Sequence, residues 1–572
     1  MAMAALYFSQ TTNTIIGAAI IFCYLLYHAA FPRPISGIPY HKESIRSIWG
    51  DIPNLRRKDP SLSMFQWITA QSHELDSHIF QLFLFPFCAP KVFITDHREG
   101  LDIMLRRPKD FDRSSFFSDG FVGTVPDSHL VLPTSNKFKA QRKLLADTMT
   151  PSFLNKVAAK HIHEQSLRLV DLWNQKAKLS KGFAFDIGND IVQMAFDNIW
   201  AIAFGTQINT IKKQHKALES MMNQAPETCG KDGTVKFQMI DTPKTLQAMD
   251  TIVRNMESAS ASPFPRVSHW LKRQGSGWKK AKAQKDKLVQ NRIDDAEARL
   301  LMDPDDREDT VDCATDHMVF REQQAAIRED RAPQYDSPGA KDDLFLFLLA
   351  GHETTASAMK WAIKYITDHP SVQSKLRSSL YTAFETLPSG EEISKTNLPY
   401  LDAVIEEVLR HALPIGAQVR VSLRDTQVLG YNIPKGIDVV TLCNGPGFVL
   451  PDPFASRIKE ADRSKTSQAK KGTVPDWSPV DIADFKPERW LKEDGYFDAQ
   501  AGPSRQFGAG ERGCFGRKLA YLELRMVIAI IVWSFELPRL PESLSSYKGV
   551  SRATREPAQC YARPIPLPVA RA

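Results

Sequence analysis

Residues Phe507 to Gly516 read Phe-Gly-Ala-Gly-Glu-Arg-Gly-Cys-Phe-Gly, a cysteine set among glycines two residues after an arginine. Leu519, Leu522, Met526, Ile530 and Trp533 follow at helical spacing. A sulfur at a helix N-terminus with Arg512 nearby has two reasons to be a thiolate, since the helix dipole and the guanidinium both favour the anion. An anionic sulfur is a metal ligand or a nucleophile. A second reactive stretch, Gly351-His352-Glu353-Thr354-Thr355, interrupts the apolar run from Leu344 to Ala350 within one helical pattern. Gly there costs about 1 kcal/mol relative to Ala, and a buried carboxylate needs a reason. Thr can bond backward to a carbonyl and bend the helix. The stretch reads either as a helix with a polar face or as a bent helix presenting a hydroxyl and a carboxyl to a pocket.

Gly508, Gly510 and Gly513 match the spacing of a dinucleotide-binding fingerprint. That reading needs a buried strand just before the glycines, and Gly502-Pro503-Ser504-Arg505-Gln506 is not one. A nucleophilic Cys514 would need a positioned histidine, and the 14 scattered His cannot be placed beside it from sequence. Glu407 and Arg410 stand three apart on an amphipathic pattern formed by Leu401, Val404, Ile405, Val408 and Leu409. Taken alone, they read as a surface ion pair worth about 0.2–0.5 kcal/mol.

The elements that must position these residues occupy a chain of 572 residues, long enough for two or more domains. With 73 Lys and Arg against 66 Asp and Glu the net charge is +7, too diffuse for a nucleic-acid partner. Seven Cys without a CxxC pair suit a reducing compartment and exclude a disulfide framework or zinc site. The first 32 residues carry no Asp, Glu, Lys or Arg, and Ala4 to Phe31 is mostly apolar. Roughly 20 such residues cross a bilayer. The basic segment that would open a secretory signal is missing, and Arg33, Lys42 and Arg46 on the far side favour a cytoplasmic body. The expected organisation is a single membrane anchor over 1–31, a Pro/Gly hinge over 32–40 and a catalytic domain over 41–572. The body reads as mainly α with small β-sheets. Residues 80–84 and 91–95 suggest a hairpin; 97–107, 138–149, 156–176 and 183–205 suggest helices. Strand candidates are 419–423, 426–429 and 437–442. The charged stretch 302–342 and the polar stretch 456–480 read as solvated surface.

Phe507, Gly510, Arg512, Cys514 and Gly516 stand at the F-x-x-G-x-R-x-C-x-G spacing, which resembles the cysteine signature of the cytochrome P-450 family. Ala350 to Thr355 resembles its A-G-x-E-T-T oxygen-activation motif, Glu407 to Arg410 its E-x-x-R helix, and Phe485 to Trp490 its P-E-R-W segment. The resemblance spans about residue 32 to the C-terminus, implies the cytochrome P-450 fold, and replaces the multi-domain expectation with one large catalytic domain. It implies haem b as cofactor, with Cys514 as the iron ligand. Gly510 and Gly516 would let backbone approach the haem, Phe507 would pack on the macrocycle, and Arg512, Arg142 and Arg420 would pair with its propionates. Thr354 and Glu353 would be the catalytic pair, handling oxygen and protons; Glu407, Arg410 and Arg489 would form a buried network. One departure is that Phe138 stands where the family usually has Trp, which removes an indole N–H.

The resemblance further implies a monooxygenase that takes electrons from NADPH through a separate reductase. It would sit in the endoplasmic reticulum membrane and act on a lipophilic small molecule. By the same analogy the pocket would draw on 116–132, 207–245, 345–351 and 413–419, where Phe116, Phe117, Phe121 and Leu413 suggest an apolar ligand or else pack in the core. The chain looks most like membrane-anchored fungal members, many of which oxidise terpenoid, polyketide or other secondary metabolites. A haem-thiolate isomerase or dehydratase acting on peroxides is the alternative, and Glu353 with Thr354 argues against it. A non-catalytic haem binder would need no such proton relay.

Overall fold

Strand Lys91–Ile94 is buried along its whole length, and its place in the sheet explains why. It pairs antiparallel with Ile79–Leu82, as the expected hairpin, and parallel with Asp438–Leu442. Ala417–Ser422 and Phe111–Arg113 complete the five strands. In the computed structural model, which describes residues 2–59, 62, 64–220, 227–229, 233–241, 243–302 and 311–568, the chain forms two compact units. The first combines Met1–Asp112, Ala417–Pro446 and Asp452–Lys471 and holds this sheet. Ile79, Val92, Ile94 and Val439 pack on one side of it, and Phe80, Phe93, Val440 and Leu442 on the other.

The second unit comprises Arg113–Gly416, Gly447–Pro451 and Gly472–Ala572 and is mostly helical. Its core surrounds the helix Pro338–Asp368, 31 residues long and buried over most of its length. Ser337 caps its start by accepting from the Ala340 N–H. Helices Gly188–Phe204, Pro399–Ala412 and Arg517–Ser534 pack against it. A four-stranded sheet runs in the order Tyr561–Ala562, Ala184–Asp186, Thr234–Lys236 and Glu227–Cys229.

The first helix spans Ala2–Ala30, and Thr12–Ala30 is apolar enough to cross a membrane, with a mean hydropathy of 1.5. Ile15, Ile20 and Phe22 are each more than 60% exposed, unlike side chains of a soluble core helix.

The stretch 302–342 differs from the expectation of a solvated surface; within it, 303–310 lie outside the described residues. Helix Ala314–Arg328 buries Ala314, Met318, Val319 and Ala326. Its charges are paired, Arg299 with Asp316 and Arg331 with Glu322, so a high count of charges hid an apolar stripe at helical spacing. In 456–480, Arg463 clasps Asp96 with two bonds of 2.7 Å, while Ser464 and Thr466 both donate to Asp102. The start of that stretch is therefore anchored, not free in solvent. Part of the region 207–245, expected to contribute to a pocket, also lies outside the described residues.

Candidate functional site

The cysteine loop folds back on itself before helix Arg517–Ser534 begins. Cys514 N–H donates to Phe507 O at 2.8 Å, and Gly513 N–H to Gly510 O at 2.9 Å. Gly508 and Gly510 take positive φ (63° and 70°), a conformation costly for other residues. A Cβ added at Gly516 would meet no atom within 4 Å. The Cys514 side chain is exposed although protein surrounds it closely. Burial pushes the thiol pKa up, against the pull of the Gly516 N–H and the charges of Arg142 and Arg517. The expectation that Arg512 and the helix terminus suffice to make it a thiolate is therefore corrected: in the protein alone, desolvation wins. Metal coordination deprotonates such a thiol outright.

Arg512 turns away from the sulfur. Its Nε donates to Thr134 Oγ1 at 2.8 Å, and its Nη2 to Leu132 O at 2.8 Å. Its guanidinium lies 3.7 Å from the centre of the Phe138 ring, in cation–π range. Arg142, on helix Asn136–Leu144, donates to Glu511 O and Gly513 O at 3.1 and 3.2 Å. It lies 5.4 Å from the ring of Phe515, the residue after the cysteine. The structure thus gathers Arg142, Arg512, Phe138 and Cys514 in one neighbourhood. Phe507 is partly buried against the core, 5.1 Å from the Tyr521 ring. Arg420 lies in the first unit, buried on strand Ala417–Ser422 opposite Val439.

Within helix Pro338–Asp368, α-helical hydrogen bonding continues through the Gly351–Thr355 stretch. Thr354 Oγ1 donates to Ala350 O at 2.8 Å, and Thr355 Oγ1 to Gly351 O at 2.9 Å. Ala350 is exposed although the six residues before it are buried, and Gly351, Glu353 and Thr354 are half-buried. One face of a core helix therefore opens here onto solvent-reachable space. The glycine has a packing reason that sequence did not reveal: a Cβ would fall 2.5 Å from Ile199 Cδ1 and 2.6 Å from Cγ1. His352 points the other way, buried against Phe196.

Burial raises the Glu353 pKa to about 7, and the carboxylates of Glu257, Glu556 and Asp250 push the same way while Lys360 opposes. Burial lowers the His352 pKa to about 4. The pair lies 4.0 Å apart, but His352 is neutral at pH 7, so this is no salt bridge. Glu353 can hold or release a proton near neutrality.

Glu407, on helix Pro399–Ala412, is fully buried and accepts five N–H bonds. Arg410 Nε and Nη2 donate at 2.8 and 2.7 Å, Arg489 Nε at 3.1 Å, the Lys486 backbone at 2.8 Å and Trp490 Nε1 at 2.9 Å. This is the buried network implied by the resemblance, not the surface pair that the spacing alone suggested. Sequence reasoning missed His129, whose ring is 6.1 Å from Phe515 and whose Nδ1 meets Asp343 at 2.8 Å. A lone histidine in a loop carries no periodic signal.

The second unit thus holds a cysteine loop bonded to Arg142, a long core helix with an opened polar face and a buried Glu–Arg network. The chain belongs to the cytochrome P450 family, whose family model matches residues 45–445 and 483–550. It is 34% identical to the cytochrome P450 monooxygenase GME11363 of Pestalotiopsis microspora, over 98% of this chain and all of that protein. It is also 34% identical to the cytochrome P450 monooxygenase TRI13 of Fusarium sporotrichioides, over 95% of this chain and 97% of the relative. Identity to the cytochrome P450 monooxygenase xilC of Penicillium rubens is 31%, over 92% and 91%. The chain is accordingly a haem-dependent monooxygenase of the P450 class.

Proposed function

We propose that this enzyme inserts one oxygen atom from O2 into a lipophilic secondary metabolite of terpenoid or polyketide type, using NADPH-derived electrons from a separate membrane-bound reductase. The observation that carries the reading is Cys514: an accessible thiol with the Gly516 N–H directed at it, beside two guanidiniums that suit the cofactor's carboxylates. In the proposed arrangement Cys514 ligates the haem iron, Arg142 and Arg512 receive the propionates, and Phe507 packs on the ring. Gly510 and Gly516 keep the backbone close; the open space at the Gly516 Cβ position supports this. Bound haem supplies the oxygen-activating and C–H-oxidising chemistry, and its thiolate ligand favours O–O cleavage.

The chain's own contribution is proton handling and orientation. Thr354 holds its hydroxyl proton on Ala350 O and can reorient it towards a ligand on the opened helix face. Glu353, with its pKa near 7, reloads that hydroxyl from solvent. The same residues argue against a peroxide isomerase, which needs no proton relay. Thr12–Ala30 would anchor the enzyme in the endoplasmic reticulum, with 32–40 as hinge and 41–572 as a catalytic body facing the cytoplasm.

The test is to reconstitute the full chain with a P450 reductase in nanodiscs and to offer lipophilic metabolites with NADPH. The wild type should give the ferrous–CO Soret band of thiolate ligation, and type I spectral shifts with some compounds. Consumption of NADPH should match oxygenated product. Cys514→Ala should lose the thiolate band. A retained band in that variant, or turnover that needs peroxide but no reductase, would overturn the reading.

A further inference from the structure

Glu523 stands in the second turn of helix Arg517–Ser534, the helix that follows the cysteine loop, and its side chain meets Asn198 of helix Gly188–Phe204. Glu523 is 2% exposed and Asn198 is fully buried. Asn198 Nδ2 donates to Glu523 Oε1 at 2.8 Å and to Met194 Sδ at 3.1 Å, so both amide hydrogens are used. Asn198 Oδ1, on the same amide, is buried with no partner among the described residues. The next residue, Ile199, is the one whose Cδ1 lies 2.5 Å from where a Cβ on Gly351 would fall. The Glu523–Asn198 contact therefore links the helix after Cys514 to the residue beside the one that packs on the opened stretch of the long core helix.

An ionised Glu523 could only accept hydrogen bonds. It would leave Asn198 Oδ1 unpaired and would rest a buried charge on one neutral N–H, which returns far less than the charge costs. The charged and titratable groups on the surrounding helices are engaged elsewhere. Arg525 bonds Asp402 and Tyr521 bonds Glu406. Lys176 bonds Asp190, Asp197 accepts from the backbone of Thr210 and Ile211, and His352 Nδ1 meets Leu348 O. Burial accordingly raises the Glu523 pKa to about 8, opposed by the Asn198 bond. A neutral carboxyl carries what the amide oxygen lacks, an O–H donor.

We propose that Glu523 is a protonated acid in the folded enzyme at neutral pH and pairs with Asn198 through two hydrogen bonds, Nδ2–H to Oε1 and O–H to Oδ1. Glu523 is then the positioning residue that holds helix Gly188–Phe204, and with it Ile199, against the helix after Cys514. Loss of the proton removes one of the two bonds and leaves a charge in the core, so the clamp loosens in alkali. The sign follows from the raised carboxyl pKa: stability is full below pH 4.5 and is lost as pH rises to about 8. The alternative is an ionised Glu523 that serves only as an acceptor for Asn198.

Glu523→Gln keeps the shape and offers the same donor and acceptor with no proton to lose, whereas Glu523→Leu offers neither. The first measurement is the infrared difference spectrum, wild type minus E523Q, of the full-length holoprotein in a detergent free of ester groups. At pH 7 it should contain the carbonyl stretch of a protonated carboxyl, which shifts in D2O and fades as pH rises through about 8. The second is the urea midpoint of the same proteins across pH. All other titrating groups are shared, so the pair should differ only by this carboxyl. The wild type should lose ground to E523Q by up to about tenfold in folded-to-unfolded ratio per pH unit between pH 4.5 and about 8, and no further above it. E523L should be less stable than E523Q at every pH; if it does not fold, the infrared band and the E523Q comparison decide. No protonated-carboxyl band at pH 7, a gap between wild type and E523Q that is constant with pH, or E523L as stable as E523Q would overturn the proposal.

Discussion

Replacing Glu407 by Gln tests whether the buried network is a structural keystone. The carboxylate is 0% exposed and Arg410 is 1% exposed, so water cannot replace what the substitution removes. Oε1 takes three donors, from Arg410, Lys486 and Arg489, and Oε2 takes two, from Arg410 and Trp490. An amide keeps one oxygen, so at least two N–H groups then face another donor. Each buried unsatisfied donor costs about 1–3 kcal/mol, and removing one partner of a buried ion pair costs about 3–5 kcal/mol. These overlap, and Arg410 keeps the carbonyls of Phe448, Ile482 and Asp484, so the expected loss is on the order of 4 kcal/mol. That is a large part of the roughly 5–15 kcal/mol holding a fold together.

The pH dependence has a definite sign. Burial alone would raise the Glu407 pKa, but the bonds and charges of Arg410 and His411 override it and hold the group far below its ordinary 4.5. A depressed carboxylate pKa stabilises the fold above pH 4.5, and that stability is lost as pH falls further. Urea-induced loss of the ferrous–CO band, followed from pH 7 downward, is the assay. E407Q should lower the midpoint at pH 7 and flatten the acid dependence, while Glu407→Asp should retain more stability than E407Q. A wild-type midpoint and haem content in E407Q would refute the reasoning.

Thr354→Ala should keep haem and substrate binding but divert NADPH electrons to hydrogen peroxide; unchanged product per NADPH would remove its proton role. Because Glu353 loses its proton as pH rises through about 7, product coupling should fall across that range, and Glu353→Gln should abolish that pH limb. The sign for stability is opposite to that of Glu407: a raised carboxylate pKa costs stability as pH rises from 4.5 to about 7, so E353Q should gain on wild type in urea melts at pH 8. Gly351→Ala should lose about 1–3 kcal/mol through overpacking on Ile199, and Ile199→Val should recover part of it in the double variant.

Much of this was legible from local pattern. The helix after Cys514 buries Leu519, Leu522, Met526 and Ile530, as their spacing required, and the strands at 79–82, 91–94 and 438–442 are alternating or apolar runs. What escaped depends on distant partners. Gly351 answers to Ile199 on another helix, and His129 gains meaning only beside Asp343 and Phe515. Two- and three-residue strands such as Tyr561–Ala562 and Ala184–Asp186 are too short to show a period. The direction in which Arg512 turns is set by the carbonyls of Leu132 and His129, not by the sulfur two residues away.

The parallel pairing of Lys91–Ile94 with Asp438–Leu442 constrains how the molecule is made. Lys91 meets its buried partner Asp438 across 347 residues of sequence, so the first sheet cannot close until nearly four-fifths of the chain exists. At about 5–20 residues per second, the hairpin Ile79–Leu82 and Lys91–Ile94 waits roughly 20–70 seconds on the ribosome with one edge unpaired. An open edge of that kind invites wrong pairing. Synthesis rate and chaperone supply are then conditions that a heterologous host must match, alongside the stability of the finished fold, to yield active enzyme.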